Sequence, residues 1–435
     1  MPTVTVAGAN SQTVTLTFDT NANAVIAQQL AAAITSGVQG GTITPADSAN
    51  GPPPAVPPGT TGYFIQSTDG ATILPPGYTD VVDTAPDALI FGSGDPNESV
   101  LISAPQSTFI ATGASGSGTV VAGGGANSIL IQGSVGGAWS INTGNGNDQI
   151  RALGGGDDSI SAGGGNNAIQ LGSGHDFVNT TGDDTVLAGS GSDTVVATGT
   201  GTDVIHASSG NLFFVAAAGA TILGGTGSDT FFGGNGPDCI QGGTAGNNFL
   251  QAGSGPATLF GGGNGDSLFA GSGSAAQALH AGSGNETLFG GFSTGQDTFF
   301  AGSGNASIGA GGGSNQFVFT DGQAGGADTI QGFASGRDLV DLQDYGKNEV
   351  AKALKSQTFA DGTATITLSD HTTISFVNLT GKLTASDFVT TSGAAAGASA
   401  ASIITPDGDN NGNGSQSLSD SDDHGQIRNS IIGHS

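Results

Sequence analysis

The chain has 435 residues, 80 of them glycine, with 35 acidic against 7 basic side chains and a formal net charge of −28. So anionic a chain repels nucleic acid and anionic lipid, and crowding that many carboxylates together is costly unless cations join them. The single cysteine, Cys239, excludes an internal disulfide and a thiolate zinc site.

Abundant glycine without a collagen triplet usually marks flexible low-complexity sequence. Here 36% of the residues are hydrophobic and the glycines recur with a period, so apolar side chains between glycine turns can build a core. Residues 3–18 alternate β-branched and small side chains and predict two short strands. Asn21 and Asn23 are candidate caps for a helix that carries Val25, Ile26, Leu30 and Ile34 and stops at Gly37, giving a small ββα unit over residues 1–44. Pro45, Pro52, Pro53, Pro54, Pro57 and Pro58 predict a stiff linker over 45–61. Residues 62–91 read as irregular strands leading into a solenoid. Met1-Pro2-Thr3-Val4 lacks the basic and apolar regions of a signal peptide, and no apolar run is long enough to span a bilayer. Any export is therefore expected to use another route.

From about Gly92 to Gly313 the chain repeats itself. GNGNDQI (144–150), GGGDDSI (154–160), GSGHDFV (172–178), GSGSDTV (189–195), GTGSDTF (225–231) and GNGPDCI (234–240) share the pattern G-x-G-x-D-x-U, with U a large apolar residue. Glycine is expected to give each turn positive φ. The U residues are expected to point inward and stack: Ile150, Ile160, Ile169, Val178, Val186, Val195, Ile205, Phe231, Ile240, Leu250, Leu259, Leu288 and Phe299. Two units complete one coil, so turns on one edge lie ~4.8 Å apart in space. Turns at that separation can sandwich Ca2+, which takes six to eight oxygen ligands, between backbone carbonyls and the turn aspartates.

These units resemble the RTX, or haemolysin-type, calcium-binding nonapeptide G-G-x-G-x-D-x-U-x. The resemblance implies an all-β, right-handed parallel β-roll over 92–320 that holds several Ca2+ ions, with the small α+β unit before it and a β cap after it. The candidate metal ligands are Gly144, Gly146 and Asp148; Gly154, Gly156 and Asp158; Gly172, Gly174 and Asp176; Asp184; Gly189, Gly191 and Asp193; Gly199, Gly201 and Asp203; and Asp229, Asp238 and Asp297. Asp158, Asp176 and Asp193 follow one another on one edge, and Asp184 and Asp203 pair on the other. Elsewhere the aspartate position holds Asn167, Leu212, Thr221, Asn248, Ala257, Ala306 and Asn315. Tight loading is therefore expected over 144–205, with partial or absent loading later in the chain. The competing expectation is a calcium-free solenoid held by Asn and Thr ladders.

GGADTIQGFASGRDLVDL (325–342) resembles the segment that closes RTX rolls, and ATITLSDHTTISFVNL (364–379) is an alternating hairpin. With LTASDFV (383–389) they resemble the C-terminal region that carries an uncleaved type I secretion signal, so 321–392 is expected to be a cap and secretion region. Residues 393–435 read as a disordered Ala-rich and acidic tail. The resemblance implies the type I secretion apparatus as a partner and a secreted or cell-surface location.

Gly291-Phe292-Ser293-Thr294-Gly295 matches G-x-S-x-G but lies in a repeat turn with no following helix pattern. The six histidines form no H-E-x-x-H site, and His175 and His206 read as solvated. Asp407-Gly408-Asp409 imitates an EF-hand start whose twelfth position is Leu418 rather than glutamate. Phe232, Phe260, Phe289 and Phe300 each flank an inward residue and nominally face outward, either covered by the closing segment or forming an apolar stripe. The expected function is a non-enzymatic, calcium-folded structural protein of the cell surface or extracellular matrix. The alternatives are an adhesin or filament subunit that uses the roll as a spacer, which self-associates or binds a surface polymer, and an RTX-type enzyme or toxin.

Overall fold

The computed structural model describes residues 1–132 and 136–392. Two short strands, β1 (Thr3–Ala7) and β2 (Thr13–Thr17), pair antiparallel from Thr3↔Thr17 to Ala7↔Thr13. Helix α1 (Asn21–Gly40) follows. Its cap is Thr20 rather than Asn21 or Asn23, because the Thr20 hydroxyl accepts the Asn23 N–H at 3.1 Å. Gly37 does not stop the helix. It sits inside it, where a side chain would overlap Ile43, and the chain leaves α1 at Gly41 in the left-handed region, φ 71°. Asn23 is buried and its amide donates to the Ala122 carbonyl at 2.9 Å, tying α1 to the sheet beneath.

The rest of the described chain winds as a parallel β-solenoid whose coils contribute strands alternately to two sheets, one of them 16-stranded. The first sheet opens with β3 (Ile43–Asp47), which pairs parallel with Thr61–Gln66 and so includes Pro45 of the expected linker. Proline lacks an N–H and is accommodated because β3 is an edge strand. Coiling thus starts well before the glycine repeats become legible, in coils such as Thr61–Gln66 and Tyr78–Asp83 whose sequences carry no glycine pattern.

Register repeats coil after coil, as in Ile160↔Val178, Val178↔Val195, Val195↔Phe214 and Phe214↔Phe231. Every residue expected to stack inward does so, none more than 2% exposed. Each such side chain contributes about 1.5–3 kcal/mol by burial. They belong to one continuous core from Phe64 to Phe388. A second core lies under the N-terminal unit, where Val4, Val6, Leu16, Phe18 and Ile34 cover Tyr63, Ile65, Val82, Leu101 and Val121 on the outer face of the first sheet.

Beyond the repeats, Ala327–Gln331 pairs with Thr373–Val377, which pairs antiparallel with Thr363–Thr367, so the alternating hairpin folds against the last coil. The second helix, α2 (Glu349–Ser356), and the short strand Phe388–Val389 complete this end. The EF-hand-like segment and the expected tail lie outside the described residues.

Candidate metal-binding ladder

The residue that enters each strand sits over its counterpart one coil away, and the aspartates at that position form two ladders. On the first sheet's edge, the N–H groups of Trp139, Asp158 and Asp176 donate to Oδ1 of Asp158, Asp176 and Asp193 at 2.7, 2.8 and 3.1 Å. On the opposite edge, the N–H groups of Asn127, Asp148, Asn167 and Asp184 donate to Oδ1 of Asp148, Asn167, Asp184 and Asp203 at 2.8, 3.0, 2.8 and 3.1 Å. The structure therefore brings Asp158, Asp176 and Asp193 together on one edge and Asp184 and Asp203 on the other, with Asp148 joined to them through Asn167.

Both ladders run further than the sequence pattern. Asp229 is followed by Asn248 and Asp266 on the first edge, and Asp297 by Asn315 and Asp338 on the second. Asp328 accepts the Ala306 N–H, and Glu286 pairs with Ala306 in the same register. Asp266 escapes the pattern because its second glycine is displaced, and Glu286 because the position holds glutamate. One register assignment changes: Ala220, not Thr221, stands over Asp203.

One oxygen of each aspartate is thus used by the ladder, and the other decides what the ladder can bind. Asp184, Asp193 and Asp229 satisfy Oδ2 with the N–H groups of Gly182, Gly189 and Gly225. Oδ2 of Asp148, Asp158, Asp176, Asp238, Asp297 and Asp328 is buried with no hydrogen-bond partner. An unpaired buried carboxylate oxygen costs a few kcal/mol, and a hard cation with oxygen ligands relieves that cost. Among the described residues no three His, Cys, Asp or Glu side chains converge. Each carboxylate belongs to its own coil, so an ion here draws most of its ligands from backbone carbonyls of the turns. The donor set fits calcium.

Burial also raises the pKa of these carboxyls. It pushes Asp158 up to about 7, with the neighbouring Asp176 and Asp157 charges adding to it, and Asp148, Asp176, Asp203 and Asp238 up to about 6. Asp184, Asp193, Asp229 and Asp297 are raised for the same first reason. Unfolded aspartate titrates near 4, so the metal-free roll is most stable below about pH 4 and loses stability as pH rises through 6–7. A cation substitutes for those protons at neutral pH. In chelator, acidification from pH 7.5 to 5 is therefore expected to raise the β-sheet circular dichroism signal, while calcium binding weakens over the same interval. An unchanged or falling signal would contradict the assignment.

Some repeat glycines take the positive φ expected of them, as Gly125, Gly165 and Gly265 do at 115°, 115° and 90°, but those of the clean units serve a different purpose. None of Gly144, Gly146, Gly156, Gly172, Gly174, Gly189, Gly191, Gly199 and Gly201 lies in the left-handed region. What they permit is close approach of the coils. A methyl group at Gly174 would overlap the Gly156 carbonyl oxygen, and one at Gly191 the Gly174 carbonyl oxygen. The absence of side chains stacks these carbonyls in file beside the aspartates.

Other sequence signals resolve into packing. Ser293 is buried, and its hydroxyl accepts the Gly295 N–H at 3.2 Å, so it is not a nucleophile presented on a turn. His175 is exposed, but His206 is half-buried, and burial lowers its pKa. His280 lies between Phe260 and Phe300, with ring centroids 4.5 and 4.0 Å apart. The closing segment does not bury the outward phenylalanines: Phe289 is 41% exposed and Phe232, Phe260 and Phe300 are partly exposed.

The family model for the RTX calcium-binding nonapeptide repeat matches four times, at residues 142–178, 178–211, 217–244 and 242–274. No curated protein matches the chain. The aspartate ladder continues past the last match, to Asp328 and Asp338.

Proposed function

We propose that this chain, whose residues 142–274 match the RTX calcium-binding nonapeptide repeat four times, is exported without enzymatic activity and that calcium outside the cell folds it into a structural element of the surface or matrix. The observation that carries this reading is the row of buried carboxylate oxygens without partners, at Asp148, Asp158, Asp176, Asp238 and Asp297. In calcium-poor cytosol those charges oppose coiling, and the chain stays extended enough to pass a type I exporter. In the millimolar calcium typical of extracellular modules the ions are bound and the apolar ladder is buried. The residues assigned to the ions are the turn glycine carbonyls and aspartates of 144–203, with Asp229, Asp238 and Asp297 farther along.

Circular dichroism of the full chain during calcium titration tests this. A cooperative gain of β signal, reversed by chelator, is expected. A chain already fully β-structured in chelator at neutral pH, or unchanged by calcium, would refute it.

One observation favours a self-associating variant of the same role. Phe213, Phe232, Phe249, Phe269 and Phe289 form a continuous run on the outer face of the first sheet, with ring centroids 5.8, 5.6, 5.0 and 5.8 Å apart. Phe213 is 42% exposed. At its N-terminal end the same face is already covered by the ββα unit. Sedimentation in calcium is expected to show mass rising with concentration, and a Phe232→Ser, Phe269→Ser variant is expected to stay monomeric. Equal behaviour of the two would leave the phenylalanine run without a role in association.

A further inference from the structure

Asp19, which lies between β2 and the cap of α1, belongs to no repeat, yet it reaches the first well-formed turn of the roll. Its Oδ2 accepts the N–H of Asn145, 126 residues away, and its Oδ1 is buried with no partner. That oxygen lies against Gly144, where an added methyl group would overlap it. The turn it faces leads to Asp148, which is 2% exposed and whose Oδ2 also has no partner.

Two further buried oxygens lie beside it, that of Thr143 at the start of the same turn and, in the turn one coil before, that of Asn127, whose N–H donates to Asp148 Oδ1 at 2.8 Å. Asn127 differs from the other ladder asparagines. Its amide donates to the carbonyls of Gly123 and Gly125 at 3.1 and 3.3 Å, but its Oδ1 accepts nothing. At Asn167, Asn248 and Asn315 the corresponding oxygen accepts the N–H of Asp148, Asp229 and Asp297. The Thr143 hydroxyl, on a residue 2% exposed, is likewise without a partner. The Asp19 charge acts on the Asp148 carboxyl, as do the Asn127 N–H and the nearby Thr143 and Asn127 side chains, so the four groups face one another. The ion pairs among the described residues, Arg337–Asp338 and Lys352–Glu349, lie elsewhere.

We propose that Asp19, Asn127, Thr143 and Asp148 form a divalent-cation site that clasps the N-terminal ββα unit to the first repeat coil. Two carboxylates, an amide oxygen and a hydroxyl are hard donors suited to calcium, and a cation there relieves four unpartnered buried oxygens at once. One of its carboxylates comes from outside the roll. Calcium that folds the repeats thereby also fastens α1, and Asn23, four residues beyond Asp19, holds the same junction through Ala122. The proposal rests on the calcium reading of the roll and adds an ion to it.

The test is hydrogen–deuterium exchange on the full chain, with and without calcium, in the wild type and in Asp19→Asn. This isosteric change keeps an acceptor for the Asn145 N–H and removes the charge. In the wild type, calcium is expected to slow exchange both in residues 13–40 and in 142–211. In Asp19→Asn, 142–211 remains protected, protection of 13–40 drops about tenfold, and one fewer calcium ion is bound. Protection and stoichiometry equal to wild type would overturn the clasp. So would calcium protection of 142–211 but not 13–40 in the wild type, leaving the calcium-folding role intact. Protection of neither segment would overturn both.

Discussion

Gly191→Ala is expected to destabilise the calcium-loaded roll by roughly 3 kcal/mol or more, although it adds a single methyl group. The new Cβ would overlap the Gly174 carbonyl oxygen of the neighbouring coil, and neither backbone can retreat without lengthening the ladder hydrogen bonds on both sides. Gly155→Ala is the matched control. It lies in a turn of the same edge, and its nearest neighbour would be the Ser173 hydroxyl at 3.4 Å, an ordinary contact. Its effect is expected to stay within about 0.5 kcal/mol. Denaturant unfolding in saturating calcium measures both. Equal midpoints for the two variants would show that the glycines act through turn conformation rather than through close stacking of coils.

The second large effect separates the ladder's structural role from its ionic one. In Asp176→Asn, Asp193→Asn each side chain keeps an oxygen to accept the N–H of the coil before it, as Asp176 and Asp193 do for Asp158 and Asp176. The charge is removed. Nature has made the same exchange at Asn167, Asn248 and Asn315, whose amides donate to the turn carbonyls of Gly163, Ala245 and Gly312 at 3.1, 2.7 and 2.8 Å. An asparagine thus occupies with its own N–H groups the carbonyls that an ion would use. In chelator at neutral pH the double Asn variant is expected to show more β structure than the wild type, with a smaller calcium response. The corresponding double Ala variant leaves two buried N–H groups without acceptors, each costing about 1–3 kcal/mol, and is expected to fold less well under every condition. If the Asn variant keeps the full calcium response, the ions lie elsewhere.

How much of this was legible in sequence depends on which force wrote each position. The inward ladder, from Ile150 to Phe299, was readable because burial demands a large apolar residue once per strand and tolerates little else. The ladder aspartates from Asp148 to Asp203 were readable because glycines flank them at fixed offsets. The coils before Gly92 were not, since they lack the glycine pattern and their outward residues, such as Tyr63 and Val82, are covered by the N-terminal unit and so break the alternation of a solvated strand. Asp266 and Asp328 were hidden by displaced glycines. Asp19 was invisible for a deeper reason: its partner turn lies more than a hundred residues away, and nothing local marks it. The role of glycine was legible only in part: Gly125, Gly165 and Gly265 do take positive φ, whereas at Gly174 and Gly191 the constraint comes from the neighbouring coil.

The most direct measurement is a crystal structure of the full chain grown in millimolar calcium, with anomalous scattering used to identify the ions. Ions are expected between successive coils at Asp158, Asp176 and Asp193, each touching the carboxylate oxygen that the ladder leaves free and carbonyls of the adjoining glycine turns. Well-ordered turns holding only water at those positions would contradict the account, because the buried charges would then stand in the folded protein with nothing to balance them.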